Sequence, residues 1–135
     1  MLYLLDSNIC IHYIRNRAIA QVIKAKFLQH TTDTIQIPAI VVAELLHGAY
    51  HSKRVEENLM QTLDFLADFE ILSFGAEEAD AYGRIRASLE RKGQVISDND
   101  MFIAATALIR NAILVTNNTR EFSRIDGLKL DDWTI

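Results

Sequence analysis

The chain has 135 residues, 50% hydrophobic and 24% charged, with 14 basic and 18 acidic side chains and a formal net charge of −4 at pH 7. That length suits one domain, residues 1–135, burying roughly two-thirds of the surface of its unfolded chain, with the composition of a soluble globular protein. The charge excludes a protein that grips nucleic acid through bulk positive potential, and no apolar run approaches the roughly 20 residues of a bilayer span. No membrane partner is expected. The opening residues lack the basic start and small-residue cleavage site of a secretory signal, and the one cysteine, Cys10, allows no internal disulfide. Both features fit a cytoplasmic protein, with Cys10 as a small apolar residue on a buried helix face. An acidic balance still admits a nuclease, because acids gathered around a metal make that face attractive to phosphate.

Leu2 to Leu5 form a short apolar run typical of a buried strand, and the run stops at a carboxylate, Asp6. Ser7 and Asn8 follow as helix N-caps, and Ile9, Cys10, Tyr13 and Ile14 recur at helical spacing. A strand turning directly into a helix places Asp6 where open parallel sheets bind ligands, beyond a strand's carboxyl end. The alternative is that Asp6 only caps the helix. Ala18–Gln29 carries Val22, Ile23, Lys26 and Phe27 in a second helical pattern, Ile35 and Ile37 alternate as a strand, and Pro38 suits the first turn of a third helix. Glu44 is the only charged residue between Pro38 and His47. Unless it lies on a solvent stripe, an acid in so apolar a stretch needs a partner.

Lys53–Phe69 reads as a long amphipathic helix with Val55, Leu59, Leu63 and Leu66 on one face. Ile71, Leu72 and Phe74 suggest a strand, and Ala76–Lys92 a helix ended by Gly93 in a left-handed cap. Ser97 and Asp100 resemble a capping box opening a helix through Phe102, Ile103, Ala104 and Ala107. Asp98 and Asp100 fall in its first turn, where the helix dipole favours negative charge. Ala112–Val115 is a compact strand ending in Thr116, Asn117, Asn118 and Thr119. Glu121 and Phe122 follow on a short helical turn, and Leu128–Trp133 suggests a last strand.

Strands alternating with helices assemble, through right-handed crossovers, into a parallel sheet covered on both faces. The strand ends at Asp6 and Thr116 and the helix starts at Glu44 and Asp100 then lie along one edge. Converging carboxylates repel and raise one another's pKa values unless a cation neutralises them. Mg2+ or Mn2+ suits hard oxygen ligands. Such an ion activates water and screens phosphoryl charge, and a second ion about 4 Å away stabilises the leaving oxygen. Phosphodiester hydrolysis is the chemistry this predicts.

Four stretches, LLDSNICI, AELLHGA around Glu44, SDNDMFIAATA around Asp100 and LVTNNTREF, with the closing LKLDDW, together resemble the PIN-domain ribonucleases, specifically the VapC toxins of toxin–antitoxin pairs. The resemblance covers nearly the whole chain in order. It implies a PIN-like three-layer α/β fold, with a short parallel sheet of four to five strands and helices on both faces. It implies a Mg2+-dependent endoribonuclease, with Mn2+ as substitute, acting on structured RNA such as transfer RNA. It also implies a homodimer silenced by a VapB antitoxin whose C-terminal segment fills the active groove. The family's metal-binding and catalytic acids map to Asp6, Glu44 and Asp100. A fourth acid often stands two residues after the threonine of the late strand, where this chain has Asn118. Asn118 can ligate through its carbonyl or hold a water, with Glu121 or Asp98 supplying the missing charge and Thr116 supporting the site. Ser7 replaces the family's usual threonine and keeps the hydroxyl.

Three other readings compete. His47 and His51, four apart with Glu44 one turn before His47, could share a helix face and bind zinc. Aspartyl-phosphate chemistry also uses an acid after the first strand, but it wants a second aspartate where Asn8 stands. A PIN-like protein that only binds RNA or antitoxin is the non-enzymatic alternative, which Asn118 keeps open. For substrate contact the candidates are Arg15, Arg17, Lys53, Arg54, Arg84 and Arg86, whose bland role is ordinary helix-surface charge.

Overall fold

The computed structural model covers residues 1–135. The chain runs β1 (Leu2–Leu5), α1 (Ser7–Arg15), α2 (Arg17–Gln29), β2 (Thr34–Pro38), α3 (Ala39–Tyr50), α4 (Val55–Leu66), β3 (Glu70–Leu72), α5 (Ala76–Lys92), α6 (Asp98–Ile109), β4 (Ile113–Val115), α7 (Thr119–Phe122) and β5 (Lys129–Asp131). The five strands form one sheet in the order β3-β2-β1-β4-β5, every pair parallel. β1 is central, which explains why Tyr3, Leu4 and Leu5 are apolar on both sides of the pleat and buried.

The strand order reverses between β1 and β4. The chain steps outward from β1 to β2 and β3, then returns to the far side of β1 and steps outward again to β5. Right-handed crossovers put α1–α4 on one face and α5–α7 on the other. Packing follows that division, with α1 against α2 and α3, α3 against α4, and α5 against α6. The crevice between β1 and β4 is therefore the topological switch point, where parallel sheets bind ligands. Register makes it specific: Leu5 pairs with Val115, and the Asp6 N–H donates to the Val115 carbonyl at 2.9 Å. Asp6 and Thr116 leave the sheet side by side.

Several boundaries differ from the sequence reading. The N-cap of α1 is Asp6, not Ser7: its carboxylate accepts the Ser7 N–H. The helix expected over Lys53–Phe69 spans Val55–Leu66, and its buried side chains are Thr62, Phe65 and Leu66, while Leu63 is 50% exposed. Phe65 sets this phase, since its ring packs on Tyr13 at 5.4 Å and Phe69 at 5.1 Å, which turns Leu63, two residues earlier, toward the opposite side of the helix. Phe74 lies past the end of β3 and packs edge-on against Phe102. The last strand stops at Asp131, and Trp133 turns back into the core to stack on His30 at 4.9 Å. Gly93 adopts φ 66°, the left-handed C-cap its position in the sequence predicts.

Candidate active site

β1 delivers Asp6 to the switch point and α1 begins there, so one residue is both strand terminus and helix cap. Its Oδ1 accepts the Ser7 N–H at 2.8 Å and its Oδ2 accepts the Thr116 hydroxyl at 2.7 Å. The Asn118 N–H donates to Thr116 Oγ1 at 3.0 Å, which turns the Thr116 proton toward Asp6. From the other side, the Ser7 hydroxyl donates to Glu44 Oε1 at 2.7 Å. Glu44, Ser7, Asp6, Thr116 and the backbone of Asn118 thus form one hydrogen-bonded line drawn from α3, α1, β1 and the loop after β4. Asp6 therefore caps α1 and at the same time accepts the Thr116 hydroxyl at the end of β4.

Asp100 joins from the first turn of α6, where Ser97 caps the helix by accepting the Asp100 N–H at 3.2 Å. Its pKa is raised by burial first, then by the charges of Glu44 and Glu121, against a hydrogen bond from Ser97. Asp6, only 4% exposed, is pushed up to about 6, chiefly by burial; Asp100 and Glu44 add to the shift and the Thr116 and Ser7 bonds oppose it. The charges of Asp100 and Glu44 thus act on Asp6, and those of Glu44 and Glu121 act on Asp100. None of the four is salt-bridged to a basic side chain.

No three acidic, histidine or cysteine side chains are gathered tightly enough to grip a metal as they stand. The fit of a divalent ion rests on donor chemistry. Hard carboxylate oxygens share one edge, one of them on a buried residue, and no basic side chain is ion-paired with them.

The structure separates the two aspartates of the α6 first turn. Asp98 points to α5, accepting from the Tyr82 hydroxyl at 3.3 Å with the Arg86 guanidinium at 3.5 Å, and takes no part in the cluster. The charge of Glu121, by contrast, reaches Asp100. Among the six basic candidates, Arg15 alone is placed next to a site acid, lining with Ile11, Ile14 and Gly48 a cavity of about 80 Å3 that Glu44 also borders. Arg54 pairs with Glu57, Arg84 with Asp80 and Arg86 with Glu90 and Asp98, while Arg17 and Lys53 are exposed. The His47 and His51 rings stack at 5.6 Å, but the Glu44 carboxylate is engaged by Ser7 rather than by either ring. Asn117 lies against His12 at the same edge, Nδ2 to Nε2 3.3 Å, a pairing across 105 residues with no signature in the sequence.

The PIN domain matches residues 3–128 of this chain. The chain is 41% identical over 133 residues to the ribonuclease VapC2 of Rickettsia felis, covering 98% of both sequences. It is 36% identical over 132 residues to the tRNA(fMet)-specific endonuclease VapC of Shigella flexneri, again covering 98% of both. Its fold superposes with a TM-score of 0.91 on a chain from the crystal structure of VapBC2 of Rickettsia felis bound to a promoter DNA fragment, at 41% identity over 98% of this chain and 99% of that one. The chain belongs to the PIN-domain family, among its VapC members.

Proposed function

We propose that the chain is a divalent-metal-dependent endoribonuclease toxin that hydrolyses phosphodiester bonds of structured RNA, with transfer RNA as the substrate class, and that a VapB-type antitoxin neutralises it. The observation that carries this reading is Asp6, a buried carboxylate at the switch point whose neighbours are other acids and not a base. Asp6, Glu44 and Asp100 would hold Mg2+ or Mn2+, with Glu121 close enough to add charge. When bound, the ion neutralises the phosphoryl oxygens and acidifies water for attack on phosphorus. The protein's own part is orientation. Ser7 N–H and Thr116 fix the two oxygens of Asp6, the Ser7 hydroxyl fixes Glu44, and the Ser97 cap fixes the start of α6 beneath Asp100. The tRNA(fMet)-specific relative supports the substrate class, and the VapBC2 complex supports the antitoxin.

A surface on α4 supports the partner as well. Met60 and Leu63 are exposed and, with the half-buried Leu59, form an apolar strip flanked by Glu56 and Asp64, suited to an amphipathic segment with basic edges. The protein works as a cytoplasmic homodimer in this reading. Brief expression followed by sequencing of RNA ends is the test, with Asp6→Ala expressed alongside. New, discrete ends in transfer RNA that vanish with Asp6→Ala are expected. Identical ends in both samples would leave a PIN-like protein that binds without cutting.

A further inference from the structure

Away from the acidic edge, a cavity of about 290 Å3 opens between α5, the end of α6 and the turn after α7. Its floor is apolar: Ile85, Leu89 and Ile125 are 7%, 1% and 6% exposed, and Leu108 completes it. Its rim is cationic. Arg84 reaches out from α5 with only its Nε committed, to Asp80 at 3.0 Å, and Arg124 is held from the opposite side by a 3.5 Å bond from Nη1 to the Val95 carbonyl. Asp126, the one acid at the rim, is neutralised by Lys92 at 3.1 Å.

The volume lies at the small end of ligand sites, about 300–1,000 Å3, and accommodates one nucleoside rather than two. Guanidinium groups suit the charged end of such a ligand by forked hydrogen bonding, and they also stack on base planes. An aliphatic floor accepts the face of any base. We propose that this cavity is a substrate subsite that takes one unpaired nucleotide of the RNA, away from the bond that is cut. The inference rests on the reading of the chain as a ribonuclease.

Two observations favour RNA as the source of that nucleotide. Arg124 is tied to Val95, two residues before the Ser97 cap of the helix that carries Asp100, so one short segment of chain links the cavity rim to the start of that helix. In addition, a chain of net charge −4 repels the RNA backbone wherever no metal offsets its acids. Attraction has to come from cations on the flanks, and these two arginines supply it beside an apolar slot.

Titration of the methyl-labelled chain with adenosine 5′-monophosphate, followed by NMR, tests the cavity without any cleavage. The Ile85, Leu89, Leu108 and Ile125 methyls should shift, inorganic phosphate should leave them unmoved, and Arg124→Gln should weaken the response about fivefold. Methyls that stay still, or that respond equally to phosphate, overturn the nucleotide slot. In the cleavage-deficient Asp6→Ala background, plugging the rim with Ser88→Phe should lower affinity for transfer RNA about tenfold, as should Arg124→Gln should the bulky variant not fold. If adenosine monophosphate binds but transfer RNA affinity is unchanged in both variants, the cavity serves free nucleotides and the RNA subsite is wrong. Loss of the ribonuclease reading would register separately, as intact binding with no cleavage by the unsubstituted chain.

Discussion

Glu78 and Asp6 are both buried acids, 3% and 4% exposed, and the fold treats them in opposite ways. Glu78, on α5, has the Arg110 guanidinium 3.1 Å from Oε1 and the Gly75 N–H 3.1 Å from Oε2, so its charge is met where α5 starts and α6 ends. Asp6 has two hydrogen bonds but only from neutral donors, and the charges nearest to it are Asp100 and Glu44. A buried carboxylate without a counter-charge is costly. The same chain supplies an arginine at one site and withholds it at the other. That contrast marks Glu78 as structural and Asp6 as a position reserved for a cation from outside.

Neutralising each acid in turn is the strongest way to break the contrast. Asp6→Asn should reduce RNA cleavage by about a thousandfold or more, the scale on which losing one member of a concerted set registers. It should at the same time stabilise the metal-free protein at pH 7.5, because the repulsive charge is gone. Glu78→Gln should do the reverse, leaving cleavage intact and lowering stability by about 1–2 kcal/mol, since its half-exposed arginine partner is partly screened. Cleavage assays beside denaturant titrations of both variants read the outcome. Equal stability losses in the two would show that Asp6 is an ordinary structural acid.

Acidity sharpens the same point. Folded Asp6 keeps its proton up to about pH 6, whereas in the unfolded chain the group ionises near the ordinary aspartate value of 3.8. Between those values the folded state binds more protons, so raising the pH favours unfolding, by up to about 3 kcal/mol from this group. Asp100 acts in the same direction. Asp33, held low by His30 and the terminal amine, acts in the opposite one, so the measurement is the difference between the unsubstituted chain and Asp6→Asn in EDTA from pH 4.5 to 7.5. That difference should grow with pH. Mg2+ or Mn2+ at a hundred times its dissociation constant should then restore about 2.7 kcal/mol at pH 7.5 in the unsubstituted chain. Asp100→Asn should blunt the response and Glu78→Gln should not.

Much of this contrast was legible before any coordinates. A strand that stops at Asp6, a lone charge at Glu44, a serine cap three residues before Asp100 and a glycine stop at Gly93 are local signals, and local signals survive translation into structure. What the sequence could not carry is whatever depends on distant partners. Nothing in the run Leu2–Leu5 says that its neighbours will be β2 and β4, so the strand order is not legible even though the shared edge of Asp6 and Thr116 is. Asp98 and Asp100 look alike in a first helical turn; only Tyr82 and Arg86, on another helix, pull one of them away. Leu63 fits an apolar stripe as well as Thr62 does until Phe65 fixes the phase of α4. Glu78 and Arg110, 32 residues apart, gave no hint of their pairing.

The smallest expected effect separates the roles of Ser7. Its backbone N–H serves Asp6 and its hydroxyl serves Glu44, so Ser7→Ala removes only the second contact. Glu44 then keeps its charge but loses its orientation. Cleavage should fall about tenfold, in the range of outer-shell changes around metal sites, while Ser7→Thr restores it. Stability in EDTA should change by about 1 kcal/mol or less, because the lost bond joins a half-buried acid that water can reach. A Ser7→Ala chain that cuts RNA at the full rate would mean that the ion itself positions Glu44. The Ser7 contact would then hold Glu44 only in the metal-free protein, and the contrast with Glu78 would rest on Asp6 and Asp100.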